Sequence, residues 1–130
     1  MARILIADDE ESVRQYLKET VQRMGYEPIA VSNGQEALDT FKNDPVDLSI
    51  VDIKMPKMDG MHFLHRAKEI DPDAVIIILT GYPSAESIVE TIEDDGYTYL
   101  AKPIDMDQLQ DIINRGLTVR DKRLRERERK

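Results

Sequence analysis

Short apolar runs alternate with segments of helical periodicity five times along the chain, which predicts repeated βα units around a parallel sheet. The first predicted strand covers residues 3–7. Behind it, Val13, Leu17, Val21 and Met24 recur at helical spacing, and Gly25 supplies the stop. Residues 27–31 form the second strand. Asn33 followed by Glu36 reads as a capping box for a helix with Ala37, Leu38 and Phe41 on its apolar face, ended by Asp44-Pro45. The third strand, 47–51, runs into a loop, 52–60, rich in Pro, Lys and Asp. The next helix is expected to turn Met61, Leu64, Ala67 and Ile70 inward and to stop near Asp71-Pro72. Residues 75–78 make a β-branched fourth strand, followed by a helix carrying Ile88, Val89 and Ile92 and closed by Gly96. The fifth strand covers 97–101. Asp105 with Gln108 is a second capping box, opening a last helix that buries Leu109, Ile112, Ile113 and Leu117.

Strands one, three and four are apolar on both faces, as strands covered by helices on two sides must be. Right-handed crossovers then give a three-layer α/β sandwich. In such sheets ligands bind beyond the carboxyl ends of the strands. Chemistry collects there: Asp8 and Asp9 after strand one, Asp52 after strand three, Thr80 after strand four, and Lys102-Pro103 after strand five. Three carboxylates in one cleft repel one another unless a hard cation sits among them. Oxygen donors without nearby His or Cys select Mg²⁺ or Mn²⁺ over Zn²⁺. A carboxylate beside such a cation can attack phosphorus and become an acyl phosphate. Lys102 and Thr80 are placed to contact further phosphoryl oxygens. The plainer alternative for Asp8 and Asp9 is that they cap the first helix.

A length of 130 residues allows one domain. With no cysteine, disulfides and thiolate metal sites are excluded. The longest apolar stretch is far short of a membrane span, and the chain enters its first strand with no signal peptide, so a cytoplasmic protein is expected. The net charge of −8 is uneven: the last eleven residues, 120–130, carry +4 and the preceding body −12. An acidic body argues against direct nucleic-acid binding by the domain.

Four motifs, ILIADDE at 4–10, LSIVDIKMPKMDG at 48–60, IIILTGY at 76–82 and YLAKPI at 99–104, make the chain resemble a receiver domain of two-component response regulators, similar to chemotaxis regulators. The resemblance runs from Arg3 to about Leu117, sets the receiver domain at residues 1–119, and implies a flavodoxin-like fold with strand order 2-1-3-4-5 and five helices. It implies Asp52 as phosphoacceptor, served by a sensor histidine kinase, a phosphotransfer protein or a small phosphodonor. It implies Mg²⁺ held by Asp9, by Asp8 through water, by Asp52 and by the backbone carbonyl of Lys54. Lys102 and Thr80 would contact the phosphoryl group, and the Lys102-Pro103 bond would be cis. Tyr99 matches the switch aromatic. It would rotate inward when Thr80 moves, changing the face made by the fourth helix, the fifth strand and the fifth helix. That face would act on a downstream protein or a tethered output domain, and it admits phosphorylation-dependent homodimerisation. Such a chain is a phosphoacceptor switch rather than an enzyme. Lys54 and Tyr82, two residues past Asp52 and Thr80, would flank an attacking water, with Tyr82 shielding the acyl phosphate.

Two rivals remain from the same residues. One is a receiver-fold interaction module that is never phosphorylated; the complete acid, hydroxyl and lysine set counts against it. The other is an aspartyl phosphohydrolase, which needs a second Asp where Lys54 stands. His62 and His65 read as ordinary helix residues, Met55 and Met58 as packing residues, and Asp94-Asp95-Gly96 lacks the remaining ligands of a calcium loop. The segment 120–130, with only Leu124 apolar, reads as a solvated helical extension or as a linker to an output domain.

Overall fold

In the computed structural model, residues 1–81 and 98–128 are described. Five strands, β1 (Arg3–Ala7), β2 (Glu27–Val31), β3 (Leu48–Asp52), β4 (Ile76–Thr80) and β5 (Thr98–Ala101), form one parallel sheet in the order 2-1-3-4-5. Among the described residues there are four helices, α1 (Glu11–Arg23), α2 (Gly34–Asn43), α3 (Gly60–Ile70) and α4 (Met106–Glu128). The predicted helix with Ile88, Val89 and Ile92, its stop at Gly96, the Asp94-Asp95-Gly96 turn and Tyr82 lie outside the described residues.

Period-two side-chain alternation splits the strands between two cores. Ile4, Ile6, Leu48, Ile50, Ile77 and Leu79 meet Leu17 and Val21 of α1 and Leu109 and Ile113 of α4. Leu5, Ala7, Val51, Ile76 and Ile78 meet Ala37 and Leu38 of α2 and Phe63, Leu64 and Ala67 of α3. Because both faces are covered, the strands read as unbroken apolar runs, and the three-layer expectation holds. Asn33 caps α2 as expected, its side-chain oxygen accepting the Glu36 amide at 2.9 Å. Asp105 does the same for Gln108 at 3.1 Å.

Two packing expectations need correction. In α3 the buried residues are Phe63, Leu64 and Ala67, whereas Met61 is half-buried and Ile70 is 43% exposed. Asp59 caps α3 by accepting the His62 amide at 2.8 Å, which sets the helix phase. Phe63 then meets Phe41 of α2 edge-on, centroids 5.8 Å apart. Ile70, the last helical residue, lies past the end of the core. The second correction concerns the basic extension. Over residues 120–128 it is helical, and one stripe of it also contacts the body of the protein. Arg120 Nη1 lies 2.7 Å from Asp71 Oδ2. Arg123 Nη1 donates to the Ala74 carbonyl at 2.9 Å, and Arg127 Nε pairs with Asp73 Oδ2 at 2.7 Å. Spacings of three and four put these arginines on one helical face, against the acidic loop that leads into β4. Sequence periodicity did not show this, because the stripe is carried by arginines and Leu124 is its one apolar residue.

Candidate phosphoryl and cation cleft

Strand register decides which groups meet. Ala7 pairs with Val51, so Asp8, the next residue, comes beside Asp52 at the end of β3. Asp52 pairs with Leu79, which puts Thr80 one step further along β4. Thr80 pairs with Ala101, so Lys102 follows immediately at the same edge. The Lys102 amide donates to the Thr80 carbonyl at 2.9 Å and ties the two strand ends together. β1 lies between β2 and β3, so the chain order reverses there, and the acids sit at that switch point.

The Lys102 ammonium donates to Asp8 Oδ2 at 3.1 Å and to Asp52 Oδ2 at 3.3 Å. It also lies 3.8 Å from Glu10 Oε1. Asp8, Asp52 and Thr80 are buried, while Asp9 and the Lys54 side chain are exposed. The Lys54 amide approaches Asp52 Oδ1 at 3.5 Å. Asp9, Glu10, Asp52, Lys54, Gly81 and Lys102 border a cleft of about 310 Å³. The Lys102–Pro103 peptide bond is cis.

Burial raises the Asp52 carboxyl above the ordinary carboxylate value, and the Asp8 charge raises it further; Lys102 and the Lys54 amide offset this only in part. Burial alone would lower Lys102, but its hydrogen bond to Asp8 and the charges of Asp52 and Asp8 outweigh it, so the ammonium is held more firmly. The cleft therefore has more negative charge than Lys102 neutralises. Its donors are oxygens only, and the carboxylate oxygens of Asp8, Asp9 and Glu10 lie within 4.8 Å of one another. That donor set fits a hard divalent cation.

Capping is not what Asp8 and Asp9 do. The N-cap of α1 is Glu10, and Asp8 Oδ1 instead accepts the Glu10 amide at 2.9 Å, turning the chain at the cleft. The loop after β3 is drawn over the sheet edge by close backbone contacts. Gly60 donates to the Ile53 carbonyl at 2.9 Å, and Met58 donates to the Pro56 carbonyl at 2.8 Å in a γ-turn that holds Lys57 at φ 69°.

The sequence matches the family described as response regulator receiver domain over residues 4–114. The chain belongs to the response regulator receiver family. This places the receiver in two-component signalling. It is 36% identical to sporulation initiation phosphotransferase F of Bacillus subtilis over 118 residues, 91% of this chain and 95% of that protein. The receiver domain protein of Clostridium thermocellum shares its fold with a TM-score of 0.87 and 34% identity, across 95% of this chain and 99% of that one. The response regulator TrrA of Thermotoga maritima, solved in complex with Mg²⁺-BeF, gives a TM-score of 0.81 at 35% identity, across 89% of this chain and 99% of that one.

Tyr99 of the receiver is 36% exposed, beside a groove of about 600 Å³ between β5 and α4. His62 and His65 are exposed on α3 and join no cluster of metal-ligating groups among the described residues. Glu10 is the cleft residue that sequence reasoning passed over. Its signal was its place directly after Asp8-Asp9. No helix among the described residues is long and apolar enough to cross a membrane.

Proposed function

We propose that the receiver is a phosphorylation-driven switch in which Asp52 takes a phosphoryl group from a sensor histidine kinase, a phosphotransfer protein or a small phosphodonor. The observation that carries this reading is the Asp52 carboxylate at the cleft, 3.3 Å from the Lys102 ammonium and beside Asp8. An Asp52 oxygen attacks phosphorus in line with the donor's P–N or P–O bond. That bond breaks with its electron pair going to the donor, and an acyl phosphate forms. Mg²⁺, with Mn²⁺ as a substitute, would be held by Asp9, by Asp52, by the Lys54 carbonyl and by Asp8 through water. When bound, it supplies positive charge to the transferring phosphoryl oxygens. Lys102 turns from Asp52 to one phosphoryl oxygen, and Thr80 moves inward to bond another.

Inward movement of Thr80 frees space beside β5, which Tyr99 enters from its exposed position. The face made by the predicted helix around Ile88, by β5 and by α4 then changes shape for a partner protein, a tethered output domain or a second copy of the chain. Residues 120–130 are a charged helical extension of the domain or a linker to such an output. The domain itself binds neither nucleic acid nor membrane and works in the cytoplasm. Lys54 and Tyr82, two residues past Asp52 and Thr80, would set the lifetime of the acyl phosphate.

The test is intact-mass spectrometry after incubation with Mg²⁺ and acetyl phosphate or phosphoramidate. One gain of about 80 Da, the mass of a phosphoryl group on a carboxylate, is expected. It should require Mg²⁺ and disappear in Asp52→Ala. No gain with either donor or with a kinase would favour the phosphorylation-independent interaction module. Decay of the same mass shift reads the lifetime. Tyr82→Ala is expected to shorten it, and an equal or longer half-life would rule out shielding by the ring.

A further inference from the structure

The turn after β1 is fixed at several points. The Asp8 amide donates to the Val31 carbonyl at 3.3 Å. The Glu10 amide donates to Asp8 Oδ1 at 2.9 Å, and Arg14 Nη1 donates to the Asp8 carbonyl at 2.9 Å. Glu10 is the N-cap of α1, a position whose side chain usually bonds the first free helical amides. Its carboxylate makes no such bond. It reaches instead toward the cleft, 3.8 Å from Lys102 Nζ, and shares the lining of that cleft with Asp52 and Lys102. None of the roles assigned above uses it.

We infer that Glu10 is a positioning residue of the cation cleft, drawing part of the Lys102 ammonium onto itself and so leaving Asp8 and Asp52 freer to face a divalent cation. The inference rests on the cation site proposed above. One ammonium is divided among three carboxylates. Without the Glu10 charge, Lys102 settles on Asp8 and Asp52, where it competes with an incoming cation. The rim also loses a negative charge. Both effects weaken cation binding. The Glu10 side chain is 61% exposed, so water screens it and the effect is moderate.

The test is a Mn²⁺ titration of the full chain at fixed ionic strength, with free Mn²⁺ read by electron paramagnetic resonance. It needs no phosphoryl donor. Glu10→Gln is expected to raise the Kd about two- to five-fold, the range for an exposed charge near the site. Glu11→Gln changes net charge equally on an exposed first-turn residue outside the carboxylate cluster. It should leave the Kd near wild type. Only the Glu10 side chain changes, and its backbone bonds persist, so the fold is retained; a melt by circular dichroism checks this. An unchanged Kd in Glu10→Gln, or an equal rise in both variants, overturns the inference. Wild-type binding that is saturable and lost in Asp9→Asn, yet insensitive to Glu10, overturns this inference alone. A wild-type chain that binds no Mn²⁺ overturns the cation site and the inference together.

Discussion

Asp52→Asn is expected to make the cation-free protein more stable at neutral pH while it removes the proposed phosphoacceptor. Burial, and then the Asp8 charge, raise the Asp52 carboxyl above its ordinary value, and Lys102 offsets only part of this. A folded-state value above the unfolded one means the native state binds the proton more tightly. Stability then falls as pH rises from the unfolded value toward the raised one, and it is not regained at higher pH. Asparagine keeps the shape without the charge. The gain should be on the order of 1 kcal/mol, the usual scale of single-residue effects. Lys102 keeps Asp8 and Glu10 as partners, so it is not orphaned. The advantage should shrink on acidification through the raised Asp52 value and vanish below the unfolded carboxylate range. Urea midpoints in chelator from acid to neutral pH provide the check. A variant no more stable than wild type at neutral pH would mean that Lys102 compensates the charge in full.

Gly34→Ala is expected to be the most damaging small substitution in the described part of the chain. A Cβ on Gly34, the first residue of α2, would run into the Met58 carbonyl oxygen and carbon. Those are backbone atoms of the loop that closes over the Asp52 edge, so no rotamer relieves the overlap. The cost should reach about 3 kcal/mol, the upper end for overpacking, and the melting temperature should drop by about 10 °C. Gly60 is similarly pressed against the Asp52 carbonyl and Ile53 Cα. Gly81 offers a control, because a Cβ there meets nothing within 4 Å. Thermal melts of Gly34→Ala and Gly81→Ala side by side decide the matter. Equal melting temperatures would show that the Met58 loop yields without cost.

The strands were legible because burial on both faces leaves a direct mark: Ile4, Leu5 and Ile6, or Ile76, Ile77 and Ile78, have no polar position to interrupt them. The candidate site was legible because β1, β3, β4 and β5 each end in its chemistry, so ordering the strands was enough to gather Asp8, Asp52, Thr80 and Lys102. Helix faces were less secure. Met61 and Ile70 fit an apolar stripe as well as Phe63 does, and only the Asp59 cap and the reach of the sheet separate them. Glu10 was hidden by its type, since a glutamate opening a helix looks like dipole matching. The arginine stripe of α4 was hidden because its partners, Asp71, Asp73 and the Ala74 carbonyl, are about 50 residues away along the chain, a separation that no local period encodes.

That stripe gives α4 two anchorages. Leu109 and Ile113 seat one end in the core near the cleft. Arg120, Arg123 and Arg127 fasten the other to the segment that feeds β4. At 1.5 Å per residue the rod between Leu109 and Arg127 is about 27 Å long, comparable to the thickness of the whole domain. The front and back edges of the sheet are thus braced by a member outside the sheet. A tilt imposed at the Tyr99 end has to be taken up at the loop before β4, the strand that carries Thr80 at its other end. Strand and strut together close a mechanical circuit around the sheet.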